Sequence, residues 1–271
     1  MYVRDRQSLS KALARTHAGD RDGWERVKEY QRVLDYAAKN PEQKSQAVST
    51  ALDLPRERIR SWVDADGRPD PVRTVQTAED HGWLDLDWRC PPFSGLNRLV
   101  AWVFSGGSVS KNYTPRFAFD KETDRGRVAA AFDELGIGYR VIEREESRAP
   151  EVEPTAAART LGRLLVVLGA PQGGKSRETS LNLPAYLGEA PDRIRLEFAQ
   201  TYVRNRAVAR PDLDETPVQF KEQRPESYRS ELKRFLVDVV GEEGSVVGST
   251  TIRLNRRAAA MLCEEIAFDD D

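Results

Sequence analysis

The feature that most constrains this chain is an internal repeat. Thr114-Pro115-x-Phe117 and Thr216-Pro217-x-x-Phe220 stand about 100 residues apart, each between an apolar helical stretch and a second helix with a β pair. In the first copy, LNRLVAWVFSGGSV (96–109) reads as an apolar helix ending in Gly106-Gly107, and NYTPRFAF (112–119) as a strand. DRGRVAAAFDELGI (124–137) reads as a helix stopped by Gly138, with strands after it in YRVIERE (139–145) and PEVEP (150–154). TAAARTLGRLLVVLG (155–169) closes the copy as a helix with a Thr cap and a terminal glycine. The second copy has the same order: helix 193–207, strand 215–222, helix 225–241, a strand pair in 245–255 and helix 256–268. The pattern predicts an α+β fold of helix-strand-strand-helix-strand-strand-helix, twice over.

Ahead of the repeat the chain reads as all-helical. Trp24, Val27, Tyr30, Val33, Leu34 and Ala37 recur at helical spacing until Asn40-Pro41 breaks the pattern. In PEQKSQAVSTALDLPRERIRSWV (41–63), Ala47, Val48, Ala51 and Leu52 make one helix face and Asp53-Leu54 a tight turn. Pro55 suits the first position of a second helix, with Ile59, Trp62 and Val63 inward and Arg56, Glu57, Arg60 and Ser61 outward. This is the spacing of a helix-turn-helix, in which Arg56, Arg60 and Ser61 are candidates for contacts to DNA. An ordinary helical hairpin used for packing is the alternative. One more helix, 72–81, is stopped by Gly82. The expected organisation is a helical domain at 1–83, a linker at 84–95, and repeats at 96–192 and 193–271.

Composition narrows the function. The net charge is −2, so nucleic-acid binding has to rest on local basic patches. Nine of the 42 basic residues are lysine and the rest arginine, which suggests GC-rich coding, and with the acidic balance a salt-adapted source. Two cysteines, Cys90 and Cys263, and two histidines, His17 and His81, offer no metal-ligand spacing, and no cofactor or metal is expected. No apolar run approaches a membrane span, and MYVRDRQSLSKALART has no apolar signal core, so a cytoplasmic protein without a membrane partner is expected.

The stretch LLVVLGAPQGGKSRET (164–179) matches the phosphate-loop pattern literally, from Gly169 to Gly174-Lys175-Ser176. Such a loop needs a buried strand before it and a long helix after it. Here LLVVLG continues the Ala-rich helix, and Pro184 and Pro191 interrupt the stretch where the long helix should run. A nucleotide hydrolase at Gly169–Ser176 is therefore the least favoured reading.

The duplicated αββαββα unit, headed in each half by an apolar helix, resembles the LAGLIDADG homing endonucleases in their single-chain, pseudo-dimeric form. Leu99 to Val109 resembles the first motif and Phe198 to Ala207 is a looser second one; the likeness spans about residues 96–268. The resemblance implies two heading helices packed together, an acidic residue at the end of each, and two antiparallel β-sheet saddles on duplex DNA. At the matching positions stand Gly106 and Arg206, or Asn205 if the register slips by one, and none of these holds Mg²⁺. Asp120 and Asp212 are the nearby acids for an enzyme with displaced ligands. The saddle candidates are Ser108, Ser110, Lys111, Asn112, Tyr113 and Arg116 in the first half, and Arg204, Arg206, Arg210, Gln219 and Lys221 in the second. A merely solvated strand face is the bland alternative. A type of bacterial sporulation regulator also couples this fold to a helix-turn-helix, in the opposite order. The leading expectation is a double-stranded DNA-binding transcriptional regulator without catalysis, monomeric as an internal pseudo-dimer. An active site-specific endonuclease with displaced acids is the alternative.

Overall fold

Residues 5–143, 149–174, 181–210, 215–242 and 244–263 are described by the computed structural model. The chain divides into two units, the first ending at Asp85 and the second beginning at Leu86.

The first unit is helical: α1 (Arg6–Arg15), α2 (Gly23–Lys39), α3 (Ser45–Leu52), α4 (Arg56–Asp64) and α5 (Asp70–Asp80). Its core joins Val27, Tyr30, Val33, Val48, Ile59 and Trp62, with Tyr30 and Trp62 edge to face at 5.5 Å. α1 adds a helix to the expected set. It begins on an Asp5 cap that accepts from the Ser8 amide at 2.9 Å, and it buries Leu9, Leu13 and Ala14. Between α3 and α4, Asp53 takes a left-handed φ of 52°, a conformation that short polar side chains tolerate better than most. The Leu54 amide donates to Ser49 O at 3.1 Å and Ser49 Oγ to Leu54 O at 2.6 Å, which closes the turn.

The second unit runs α6 (Pro91–Ser105), β1 (Gly107–Val109), β2 (Pro115–Ala118), α7 (Glu122–Glu134), β3 (Tyr139–Ile142), β4 (Glu151–Pro154) and α8 (Ala158–Val167). After a 3₁₀ turn at Ala185–Gly188 the order recurs as α9 (Asp192–Arg204), β5 (Val208–Ala209), β6 (Val218–Lys221), α10 (Glu226–Val240), β7 (Val246–Val247), β8 (Thr251–Leu254) and α11 (Arg256–Leu262). Two antiparallel four-stranded sheets result, in the orders β1-β2-β4-β3 and β5-β6-β8-β7. Residues 84–95 are not a simple linker. Leu84 and Leu86 are buried, and α6 already starts at Pro91, because prolines in a first helical turn give up amide groups that have no helical partner anyway.

α6 and α9 pack side by side. α6 buries Leu96 and every residue from Leu99 to Phe104, while α9 buries Ile194, Phe198, Ala199, Tyr202 and Val203. Polar clamps fix their register. Asn97 Nδ2 donates to Ile194 O at 3.0 Å and to Glu197 Oε2 at 2.9 Å, Ser94 also donates to Glu197, and the Tyr186 hydroxyl donates to Asn97 Oδ1 at 2.8 Å. At the other end Asn205 Nδ2 donates to Ser105 Oγ at 2.7 Å. Early residues thus meet early ones and late residues late ones, so the two helices run in the same direction. No described helix is long and apolar enough to cross a membrane.

α8 sits close against the β1–β2 turn because Gly162 has no side chain: a Cβ there would lie 1.9 Å from Tyr113 O. Gly126 on α7 faces open space. We expect Gly162→Ala to destabilise the protein by about 2 kcal/mol through overpacking. Gly126→Ala should instead stabilise it by roughly 0.5 kcal/mol through helix propensity. Denaturant unfolding of the two variants checks both signs.

Candidate nucleic-acid interface

Strand alternation gives each sheet a buried face and an open one. In the first sheet Gly107, Phe117 and Val152 are buried, and the opposite face carries the cross-strand row Ser108, Arg116, Glu153, Arg140. In the second sheet Val218, Phe220, Ile252 and Leu254 are buried, and the open row is Val208, Gln219, Arg253, Val247. Phe117 and Phe220 hold equivalent places, so these rows correspond residue by residue. Lys221 is exposed beside Thr251 in the next row.

The two rows differ in charge. Glu153 accepts from Arg116 Nε at 2.9 Å and from Arg140 Nη2 at 2.7 Å, so Arg116 faces solvent already paired. Burial pushes the Glu153 carboxyl up, but the hydrogen bonds and charges of Arg140 and Arg116 outweigh it and hold the group below its usual range. The second row has Arg253 and no carboxylate. Sequence reasoning missed Arg140 and Arg253. Alternation through YRVI (139–142) and TIRL (251–254) was the signal that would have found them, since each arginine is flanked by inward positions.

Ser110, Lys111 and Asn112 are exposed or nearly so at the β1–β2 hairpin tip. Tyr113 has a φ of 60°, and its ring lies 4.0 Å from the Arg163 guanidinium, so it props the turn more than it projects. The segment matching a phosphate loop serves this hairpin. Gln172 Nε2 donates to Ser110 O at 3.1 Å and Lys111 O at 3.0 Å, and the Gly173 amide donates to Val109 O at 2.8 Å. The residues before it end α8, with Gly169 at a φ of 105° and the Ala170 amide bonded to Leu165 O at 2.9 Å, so no strand leads into a phosphate loop. Lys175, Ser176 and Arg177 lie outside the described residues.

Arg56, Glu57, Arg60 and Ser61 are exposed on α4. Arg58 is held by Glu29 at 3.0 Å, and Arg56 Nε donates to Ser45 Oγ at 3.3 Å.

The ends of the central helices correct two of the expected saddle assignments. Arg206 donates to Ser105 O at 3.4 Å and Lys221 O at 2.5 Å, and its Nε lies 3.7 Å from the buried Glu222. It caps the carbonyl end of α6, where a cation meets the negative pole of the helix. Arg224 joins it, donating to Phe104 O, to the Tyr202 hydroxyl at 3.1 Å and to the Tyr228 hydroxyl at 3.0 Å. Burial pushes both phenols up. Arg206 is thus spent on structure. Arg204 is not on the sheet face either: it lines a cavity with Arg127 and Asp120. Arg210 comes after β5, where its amide donates to Pro217 O at 2.6 Å. Asp212 lies outside the described residues. Among the described residues no group of three or more His, Cys, Asp or Glu stands ready to hold a metal ion.

Comparison with known proteins found no family model that matches the chain and no curated protein that matches it.

Because Glu153 titrates below the usual carboxylate value in the folded state, its contribution is present at neutral pH and is lost as the pH falls through that lowered value. Both arginines are substantially exposed, so the expected effect is small. Glu153→Gln should cost about 1 kcal/mol at pH 7. The gap between variant and wild type should narrow as the pH falls below the ordinary carboxylate range in paired denaturation curves.

Proposed function

We propose that the chain is a sequence-specific double-stranded DNA-binding protein, a transcriptional regulator. In this reading a helix-turn-helix at α3–α4 is joined to a catalytically silent LAGLIDADG-like domain. The observation that carries it is the residue-by-residue equivalence of two sheets set on paired parallel helices, each with arginine or amide donors in its open row. Arg116, Arg140 and Ser108 on one side and Arg253, Gln219 and Lys221 on the other are types suited to phosphates and base edges. Lys111 at the hairpin tip adds a phosphate donor. On α4, Arg60 and Ser61 are exposed at recognition-helix positions, with the left-handed Asp53 in the turn before them. Silence is supported by the helix ends, where Gly106 offers no ligand and Arg206 brings a cation that would repel Mg²⁺.

The test is selection of duplex DNA from a random pool, with gel shifts on the selected site. Arg56→Ala/Arg60→Ala and, separately, Lys111→Ala/Arg253→Ala should each weaken binding about tenfold, the loss of two phosphate or base contacts. Wild-type affinity in both double variants would remove the reading. Cleavage of the selected site in Mg²⁺ would favour an endonuclease instead.

A further inference from the structure

A carboxylate sits at the centre of the first open row, where the second sheet carries an arginine. By register Glu153 corresponds to Arg253. An acid in that place repels phosphate, so on a face turned to DNA it needs a task. The Glu153 side chain is only 9% exposed, whereas that of Arg116 is 41% and that of Arg140 64% exposed. The carboxylate therefore lies beneath the two arginines and does not itself reach a base.

Its oxygens are divided between them. Oε2 accepts from Arg116 Nε at 2.9 Å and Oε1 from Arg140 Nη2 at 2.7 Å. Each bond uses one of five guanidinium N–H groups, which leaves donors on both arginines for a bidentate contact. β2 and β3 lie about 10 Å apart across β4, and convergence on one carboxylate brings the guanidiniums closer than that. Successive base pairs rise about 3.4 Å, so two heads placed this way suit bases one or two steps apart. Glu151, next on the same face, stands 4.0 Å from Arg116 Nε, so these four side chains carry two charges of each sign. A balanced cluster pulls weakly on phosphate. It still offers fixed donors to neutral acceptors, and guanine O6 and N7 are the acceptor pair that arginine reads with two bonds.

We infer that Arg116 and Arg140 read two closely spaced guanines in the major groove, and that Glu153 is the positioning residue that holds both guanidiniums for that contact. The inference rests on the DNA-binding reading and gives its first sheet a base preference.

Selection of duplex DNA by the full chain from a random pool, followed by gel shifts with 7-deazaguanine at single positions, tests it. That base keeps its pairing but lacks the N7 acceptor. Wild type should select two guanines adjacent or one step apart, and either replacement should weaken binding about tenfold. Arg140→Ala, an exposed change, should remove the penalty at one guanine and keep it at the other. Glu153→Gln should shrink both penalties to about twofold, because an amide oxygen accepts while its NH₂ group opposes the second guanidinium. Its affinity for unselected duplex should hold or rise, since an acid near the phosphates is gone. Arg253→Ala on the second sheet should weaken binding and leave both penalties at their wild-type size. A selected site without such guanines overturns the inference. Equal weakening of selected and unselected duplex by Glu153→Gln, the mark of a merely structural role, does so too. Duplex binding by wild type with penalties that Glu153→Gln leaves intact removes this inference alone, whereas no duplex binding at all removes the DNA-binding reading and this one with it.

Discussion

The second unit depends on the seam between α6 and α9. Two largely apolar helices lying in parallel bury enough surface to hold the halves together, but apolar contact alone leaves their sliding register loose. Asn97, bonded to Ile194 O, Glu197 and Tyr186, and Asn205, bonded to Ser105, fix that register at both ends. Each of these amides is costly to leave unpaired in such surroundings, so any slip of the helices is penalised. The seam also decides how the two sheets are presented, since each central helix feeds directly into the first strand of its half.

Equivalence of the halves is strict in topology and loose in chemistry. Register places Arg116 with Gln219, Glu153 with Arg253 and Arg140 with Val247. One face therefore carries arginines restrained by a carboxylate, and the other an arginine whose row holds none. The helix ends diverge too: α6 ends on Gly106 beneath two capping arginines, while the end of α9 borders a cavity lined by both arginines and aspartates. Two halves of matching strand order and unlike chemistry give one chain two different surfaces.

Much of the fold was legible because turn chemistry punctuates the sequence. Gly106, Gly169 and Gly241 end helices, and the Thr-Pro anchors lead into β2 and β6. The hidden parts have physical reasons. β5 and β7 are two residues long, too short for any period to register. Pro91-Pro92 reads as a break, yet it opens α6. The role of Arg206 was unreadable, because Ser105, Lys221 and Glu222 become its partners only once the halves assemble. The mixed local signal of Gly169–Ser176 was resolved by α8 on its N-terminal side, a helix in place of a strand.

The proposed duplex binding is tested most directly by the salt dependence of affinity in the full chain. Engagement of about six or more phosphates predicts that log K falls with log salt concentration with a slope of about −5 or steeper. A slope near zero, or one as shallow as a single contact produces, would contradict it.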